Sequence, residues 1–353
     1  MGRSLAFIQP RGGVGKSTAV AQLAAALAVA HPEFTVTVID ASLHADSSYA
    51  LVGGLQEPSS DADARSRGEE ICSKHPTKTT AALFAALTVG APTPTRTGWG
   101  RMMASASSAP AQTVDITTFS TPVCTLYPEG CAPTNLRVIL GGAALKGLTN
   151  EAAVKASQAL GTLFANAPES HIFLLDTDAE LCERPASACA AASASALALL
   201  SSSNWSDFLR SLSDPVNGIC TALAPPFPPK TIARLVFTRV AKTRNEVSGL
   251  EGINCFGFKP VNAAMDNIKQ IVKYAHDRAC AGGPLAPYVE AKAGITRFID
   301  DHVLGIPDLP ENVLVKSVLK GVPVACMQPG DGVTADALSA AQEQLAFAAT
   351  RLI

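Results

Sequence analysis

The sequence is poor in charged and in aromatic side chains. Charged residues make up 16% of the 353 residues and aromatic residues 5%, and the formal net charge is −2 at pH 7. A chain so close to neutrality has no overall field that would attract nucleic acid or an anionic membrane. Hydrophobic residues make up 47%, which is enough for a substantial core. We expect one domain over residues 1–353, with a single long insertion.

The cysteine patterns typical of disulfide-rich extracellular domains and of zinc-binding domains are also missing. The chain has nine cysteines, an odd number, and no C-x-x-C pair, so the sequence indicates neither a disulfide framework nor a zinc site. Reduced thiols that pack as small core residues are the expectation. No apolar run is long enough for a membrane span, because 186–200 is short and contains serines. No signal peptide is recognisable, and we expect a cytoplasmic location.

The most specific pattern is a glycine-rich segment between an apolar run and an alanine-rich run. Residues 5–8 predict a strand, 10–18 a loop and 18–30 a helix. The loop reads PRGGVGKST, which fits G-x-x-x-x-G-K-[ST] except that Pro10 stands at the first glycine. Such a loop points successive backbone N–H groups at a phosphate. The alternative interpretation is a plain glycine-rich turn before a helix.

The phosphate-loop interpretation assigns a role to each loop residue. Lys16 would reach the β- and γ-phosphates of a nucleotide, and the Ser17 hydroxyl would ligate Mg²⁺. The helix N-terminus adds partial positive charge at the same place. The candidate nucleotide-binding residues of the loop are Gly12, Gly13, Val14, Gly15, Lys16, Ser17 and Thr18.

The run from Arg11 to Thr18 resembles the deviant Walker A box, K-G-G-x-G-K-[ST]-T, of the ParA/MinD ATPases, which sort plasmids and chromosomes or position cell machinery. The resemblance implies an α/β P-loop NTPase fold, with a mostly parallel central sheet flanked by helices. It also implies ATP and Mg²⁺ as cofactors and an ATP-dependent homodimer. In that family the first lysine of the box crosses the dimer to the partner's phosphates. Arg11 holds this place and can bind phosphate bidentately, so Arg11 and Lys16 are both predicted catalytic residues.

Two aspartates follow apolar strand patterns. Asp40 ends the run 35–39, and Asp176 ends the run 171–175. Ligands bind at the carboxyl ends of the strands in parallel sheets. By the resemblance, Asp40 is a catalytic and metal-binding residue, and Asp176 is the Walker B acid that holds Mg²⁺. Ser17, Asp40 and Asp176 therefore form the predicted metal site.

The residues after these acids depart from the family pattern. In the family, the motif D-x-D-P follows the second strand, and the second Asp of this motif orients the attacking water. Ser42 occupies that place, and loss of a positioned base costs about 10²–10⁴-fold in rate, so we expect ATP binding more firmly than ATP hydrolysis. Asp46 is either a substitute or, as its spacing favours, a loop acid. Asp178 either contributes to the metal site, supplies the missing base or faces solvent.

A long insertion is predicted after the second strand, over residues 54–135, because glycine, proline, serine and threonine are dense there. It would carry a short helix over 79–88 and a strand over 123–127. Its role is left open between capping the nucleotide, binding a partner and being a tolerated surface excursion. Further strands are predicted over 136–140, 195–200, 232–238 and 303–305, and further helices over 150–166, 204–212, 261–278 and 335–352.

The resemblance also assigns nucleotide contacts late in the chain. Thr238 stands where the family has an Asn that reads the adenine edge, with Arg239 beside it, and Pro310 lies in the loop that covers the base. A hydroxyl makes one hydrogen bond where an amide makes two.

A basic segment covers residues 230–278, with nine Lys or Arg against four Asp or Glu. Lys269, Lys273 and His276 share one face of the predicted helix over 261–278. That face either binds DNA without sequence preference, through phosphate contacts, or is a solvated face partly neutralised by Asp266 and Asp277.

Three functions remain open at this point. The first is a ParA-like ATPase that dimerises on ATP and acts in partition or intracellular positioning, with a protein partner. The second is a nucleotide-dependent binding module with little or no turnover, which serves a partner complex such as a secretion or conjugation system. The third is a small-molecule ligase or kinase of the same P-loop class.

Overall fold

A computed structural model describes residues 2–9, 13–52, 65–89, 114–123, 132–179, 184–202, 231–243, 250–282, 294–320, 322–330 and 333–353. The strands in these ranges are β1 (Arg3–Ile8), β2 (Thr35–Asp40), β3 (Thr121–Pro122), β4 (Leu136–Ile139), β5 (His171–Asp176), β6 (Ala196–Ser201), β7 (Ile232–Val240) and β8 (Val303–Pro307). They form one eight-stranded sheet in the order β3-β4-β2-β5-β1-β6-β7-β8. All neighbouring strands run parallel except β3, which is antiparallel to β4. The predicted mostly parallel α/β sheet is therefore confirmed.

The central strands are buried on both faces, which explains why they read as continuous apolar runs. Along β1, Ala6 and Ile8 pack into one core cluster, whereas Phe7 between them packs into the other. Along β5, Phe173 packs in the first cluster and Leu174 packs in the second. Side chains that alternate in this way need a helical layer on each side of the sheet.

The helices of the described ranges provide these two layers. They are α1 (Lys16–Ala30), α2 (Asp46–Leu51), α3 (Arg65–Lys74), α4 (Thr80–Val89), α5 (Asn150–Asn166), α6 (Pro185–Ser193), α7 (Asn262–Cys280), α8 (Ile295–His302), α9 (Glu311–Lys320) and α10 (Ala335–Leu352). Residues of α4, α5, α6, α7 and α8 pack in the first cluster, and residues of α1, α2 and α10 pack in the second. Within the described ranges, none of these helices is both long and apolar enough to cross a bilayer.

Helix α1 fixes the position of the glycine-rich loop. It is composed of strong helix formers and is buried along most of its length, as expected for a helix that is apolar all round. Its C-terminus is held by Asn135, whose amide donates to the carbonyls of Ala28, His31 and Phe34 at 3.0, 3.2 and 2.7 Å. The buried Gln22 side chain contacts Ser317 Oγ at 3.0 Å. The loop therefore precedes a helix that is anchored at its middle and at its end.

Most predicted elements agree with the structure. The predicted helices over 150–166 and 335–352 coincide with α5 and α10. The strand predicted over 123–127 is wrong at its start, because the strand is the two-residue β3 at Thr121–Pro122, and 124–130 lies outside the described residues. Helix α3 was not predicted, since its sequence RSRGEEICSK has no apolar periodicity. The helix predicted over 204–212 also lies outside the described residues.

Candidate nucleotide site

The glycine-rich loop leads directly into α1. Gly13 and Gly15 have φ of +85° and +77°, a region that glycine enters without steric cost, and the carbonyl of Gly15 accepts from the N–H of Ala19 at 2.8 Å. Helix α1 has no side-chain cap and no acidic residue in its first turn. Ser17 and Thr18 lie half-buried in that turn. Arg11 and Gly12, predicted from the same motif, lie outside the described residues.

Lys16 contacts the strand-end acid Asp176. Its Nζ lies 2.9 Å from Asp176 Oδ1, and the side chains of Lys16 and Asp176 are 8% and 0% exposed. The second carboxylate oxygen, Oδ2, is buried without a hydrogen-bond partner in the described part of the chain. A buried acceptor without a partner is costly. This oxygen is therefore a ready position for a cation or water beside the loop.

The second predicted acid, Asp40, lies opposite Asp176 in the register of β2 and β5. Its Oδ1 accepts from the N–H and hydroxyl of Ser42 at 2.9 and 2.7 Å, and its Oδ2 accepts from the N–H and hydroxyl of Ser48 at 2.9 and 2.7 Å. The pKa of Asp40 is raised to about 6, chiefly by burial and secondly by the nearby charge of Asp176. The hydrogen bonds from Ser42 and Ser48 lower it in part. Both oxygens are thus already used within the protein.

Asp40 also lies where the insertion meets the sheet. The Thr80 hydroxyl donates to the Asp40 carbonyl at 2.7 Å, and the N–H of Gly141 donates to Ser48 Oγ at 2.9 Å. In this arrangement Asp40 organises the loop after β2, the start of α4 and the end of β4. The metal-binding and catalytic roles predicted for Asp40 stay predictions. Both of its carboxylate oxygens already accept hydrogen bonds, in contrast to Oδ2 of Asp176.

Asp178 connects the loops that follow β2 and β5. Its Oδ2 accepts from the N–H of Leu43 at 3.2 Å, and its own N–H donates to Ser187 Oγ at 2.8 Å. Burial raises the pKa of Asp178, and the Leu43 hydrogen bond and the charge of Lys16 partly offset this. Asp178 is therefore half-buried and hydrogen-bonded. Asp46 is instead exposed in the first turn of α2, where an acid suits the helix dipole.

The residues predicted to contact the base are dispersed. The Thr238 hydroxyl donates to the carbonyl of Val14 in the loop at 2.8 Å. Arg239 is exposed with φ of +53°, and its Nε lies 3.8 Å from Asp308 Oδ1. The carbonyl of Pro310 accepts from the N–H groups of Val313 and Leu314, both at 2.9 Å, and so begins α9. The structure brings Thr238 to the loop, but it gives Arg239 and Pro310 other partners.

In the described part of the basic segment, residues 231–243 and 250–278, the cations do not share one face. Arg234 and Lys242 are used internally: Arg234 Nε contacts the carbonyl of Arg351 at 3.1 Å, and Lys242 Nζ contacts Gln344 Oε1 at 2.6 Å. His276 packs against Phe298 with ring centroids 5.3 Å apart. The exposed cations of the predicted face on α7 are Lys269 and Lys273.

The sheet, its two helical layers and the strand–loop–helix unit with Lys16 and Ser17 define the P-loop NTPase class of α/β fold. Within the described ranges, no group of three or more His, Cys, Asp or Glu side chains could hold a metal ion without another ligand. A P-loop site instead supplies a hydroxyl, a strand-end acid and the ligand's own phosphates.

Comparison with solved structures finds a similar fold in two nucleotide complexes. An ATP complex of Cyanothece McdA aligns with a TM-score of 0.52 and 12% identity, over 99% of this chain and 96% of that chain. A putative plasmid partition protein from Borrelia burgdorferi bound to AMPPNP aligns with a TM-score of 0.51 and 14% identity, over 98% of both chains. No protein-family profile and no curated protein sequence matches the chain. At these identities the similarity is one of fold.

Proposed function

We propose that this chain is an ATP-binding protein of the ParA/MinD type that requires Mg²⁺, dimerises on ATP and acts in partition or intracellular positioning, with slow hydrolysis. The observation that carries the proposal is the contact of Lys16 with Asp176, 2.9 Å long, at the uncapped N-terminus of α1. The ATP and AMPPNP complexes of similar fold support the choice of a nucleoside triphosphate.

The residues present fit a magnesium ion. The Ser17 hydroxyl and Asp176 would hold it, because Oδ2 of Asp176 is a buried oxygen without a partner and Mg²⁺ prefers oxygen ligands that include substrate phosphates. The bound ion would neutralise charge on the β- and γ-phosphates. Lys16 neutralises Asp176 in the protein alone and would bind the phosphates in the complex.

Calorimetric titration with Mg·ATP tests this proposal. We expect saturable binding by the wild-type protein and at least about tenfold weaker binding by Asp176→Asn, since an amide oxygen is a poorer ligand for Mg²⁺ than a carboxylate. Asp46→Asn is the matched control, because Asp46 is exposed on α2, and it should bind as the wild type does. A flat trace for the wild-type protein would contradict the proposed function.

A second candidate function is a nucleotide-dependent switch with little or no turnover. It is favoured by the geometry of Ser42, which is 2% exposed and donates its hydroxyl to Asp40 at 2.7 Å. Ser42 has no carboxylate, and both carboxylate oxygens of Asp40 already accept hydrogen bonds. Neither residue therefore offers a free carboxylate oxygen at the place where the family orients its water. On this proposal the bound nucleotide sets the dimer state and the choice of partner.

Single-turnover hydrolysis by the wild-type protein distinguishes the two functions, because only the ATPase turns over above background. The same assay on Ser42→Asp tests whether the missing carboxylate limits the rate. A carboxylate restored at this position is expected to raise the rate by about 10²-fold, whereas the uncharged Ser42→Asn should leave it unchanged. The added charge beside Asp40 lowers stability, so both variants are assayed well below their melting temperatures. A wild-type rate at background, with ATP binding intact, favours the switch. An unchanged rate in Ser42→Asp would contradict the role given to the missing carboxylate.

Dimerisation and partners complete the proposal. Arg11 is the residue proposed to reach across the dimer, and size exclusion in ATP and in ADP tests the dimer. Lys269 and Lys273, one turn apart and exposed on α7, are the residues proposed for non-specific DNA contact, which salt would weaken.

A further inference from the structure

Strand β7 ends against the glycine-rich loop. Val236 packs in the core cluster that contains the residues of α1, and Thr238, two positions later, points to the same side of the sheet. The Thr238 hydroxyl reaches the carbonyl of Val14 at 2.8 Å, with the Ser201 carbonyl at 3.4 Å, and Thr238 is 3% exposed. Two segments 224 residues apart are thereby joined under the predicted phosphate site.

The strand pairing is irregular at this contact. The pairing of β7 with β8 shifts register between Phe237 and Val240, and Arg239 between them has φ of +53°. A bulge of this kind re-aims the side chains of a strand. Thr238 and Arg239 therefore lie within the shifted stretch of β7, and the Thr238 hydroxyl is directed at the loop.

Within the described part of the loop, Val14 is held by two contacts. It lies between Gly13 and Gly15, both with positive φ, and glycine is the residue with the greatest backbone freedom to lose on ordering. The Val14 side chain packs against the core cluster of α1, while its carbonyl accepts from Thr238. Val14 is thus held through both its side chain and its carbonyl, and this restrains the N–H groups of the neighbouring Gly13 and Gly15.

We propose that Thr238 is a positioning residue that holds the phosphate loop through Val14, and that it does not read the base. This inference rests on the proposed nucleotide-binding function and gives Thr238 a different role in it from the one expected by family resemblance. A hydroxyl carries one proton. Because that proton is committed to the carbonyl of Val14, Thr238 has no donor left for a ring nitrogen of the base.

The two roles predict different ligand dependence. A residue that reads the base matters for ATP and not for a ligand without a base. A residue that holds the phosphate loop matters equally for every ligand that carries the triphosphate. Inorganic tripolyphosphate, which has the phosphates alone, and CTP, which has a different base, therefore separate the two roles.

The experiment is displacement of a fluorescent ATP analogue from Thr238→Val by ATP, CTP and tripolyphosphate, each with Mg²⁺. Valine keeps the shape of threonine and removes the hydroxyl, so the carbonyl of Val14 loses its donor. We expect affinity to fall about tenfold, which corresponds to ~1.4 kcal/mol, by the same factor for every competitor that displaces the analogue from the wild type. Thr238→Ser keeps the donor and should restore near-wild-type affinity for each of them.

Two results would overturn the assignment. A loss confined to ATP would return Thr238 to base recognition, and equal binding by Thr238→Val and the wild type would remove it from the site. Failure of the proposed function is distinguishable, because the wild-type protein would then bind no ATP and Lys16→Ala would behave as the wild type does. The melting temperature of each variant without ligand shows whether a loss of affinity reflects unfolding.

Discussion

Lys16→Ala is expected to abolish the thermal stabilisation of the protein by Mg·ATP. A ligand at about 100 times its Kd stabilises the folded state by about 2.7 kcal/mol, and the wild-type protein should show the corresponding rise in melting temperature. Lys16 is the one cation that the structure places against Asp176 in the described site, and it is the residue proposed to bind the phosphates. Without it the variant should melt at the same temperature with and without the nucleotide.

The same substitution also affects the protein without ligand, so controls are needed. Removal of Lys16 leaves Asp176 buried and unpaired, which costs about 3 kcal/mol. In the double variant Lys16→Ala/Asp176→Asn the uncompensated charge is gone, so stability should partly recover while the response to ATP stays absent. Lys155→Ala is the matched control, because Lys155 pairs with the exposed Glu151 at 2.8 Å. It should keep the full response, and a full response in Lys16→Ala would refute the site.

The sequence predicted that the two strand-end acids of the candidate site lie next to each other. Asp40 and Asp176 each end an apolar run, and in a parallel sheet the ends of neighbouring strands meet at one edge. The structure pairs the two residues directly in register. Their proximity was predictable from two short local patterns, because a buried parallel strand is apolar throughout and a following acid marks its end.

The partners of these acids were not predictable in the same way. Ser48 contacts Gly141 across 93 residues, and neither a serine within a short helix nor a glycine after a strand identifies its partner. Single hydroxyl contacts depend on tertiary placement, which hydrophobic periodicity does not encode. The polar helix Arg65–Lys74 was not predicted for a related reason. A helix without an apolar stripe gives no signal in the hydrophobic periodicity.

Gly141→Ala is expected to destabilise the protein by about 3 kcal/mol, because there is no room for a methyl group at this position. A Cβ on Gly141 would lie 2.6 Å from both Cγ and Oδ1 of Asp40 and 2.8 Å from the carbonyl oxygen of Ser42. Neither group can easily move away. Asp40 is held by Ser42 and Ser48, and the Ser42 carbonyl accepts from the N–H of Gly142 at 3.0 Å.

Chemical denaturation of Gly141→Ala measures this effect, and Gly147→Ala is its matched control. Gly147 lies in the same connection, and a Cβ there would meet nothing within 4 Å; its replacement should change the free energy of unfolding by less than about 1 kcal/mol. Because the clash is with Asp40, Gly141→Ala should also displace the loop after β2 that contacts Asp178 through Leu43. A Gly141→Ala protein as stable as the wild type would mean that the Asp40 carboxylate is not fixed against this backbone, and the proposed organising role of Asp40 would fail with it.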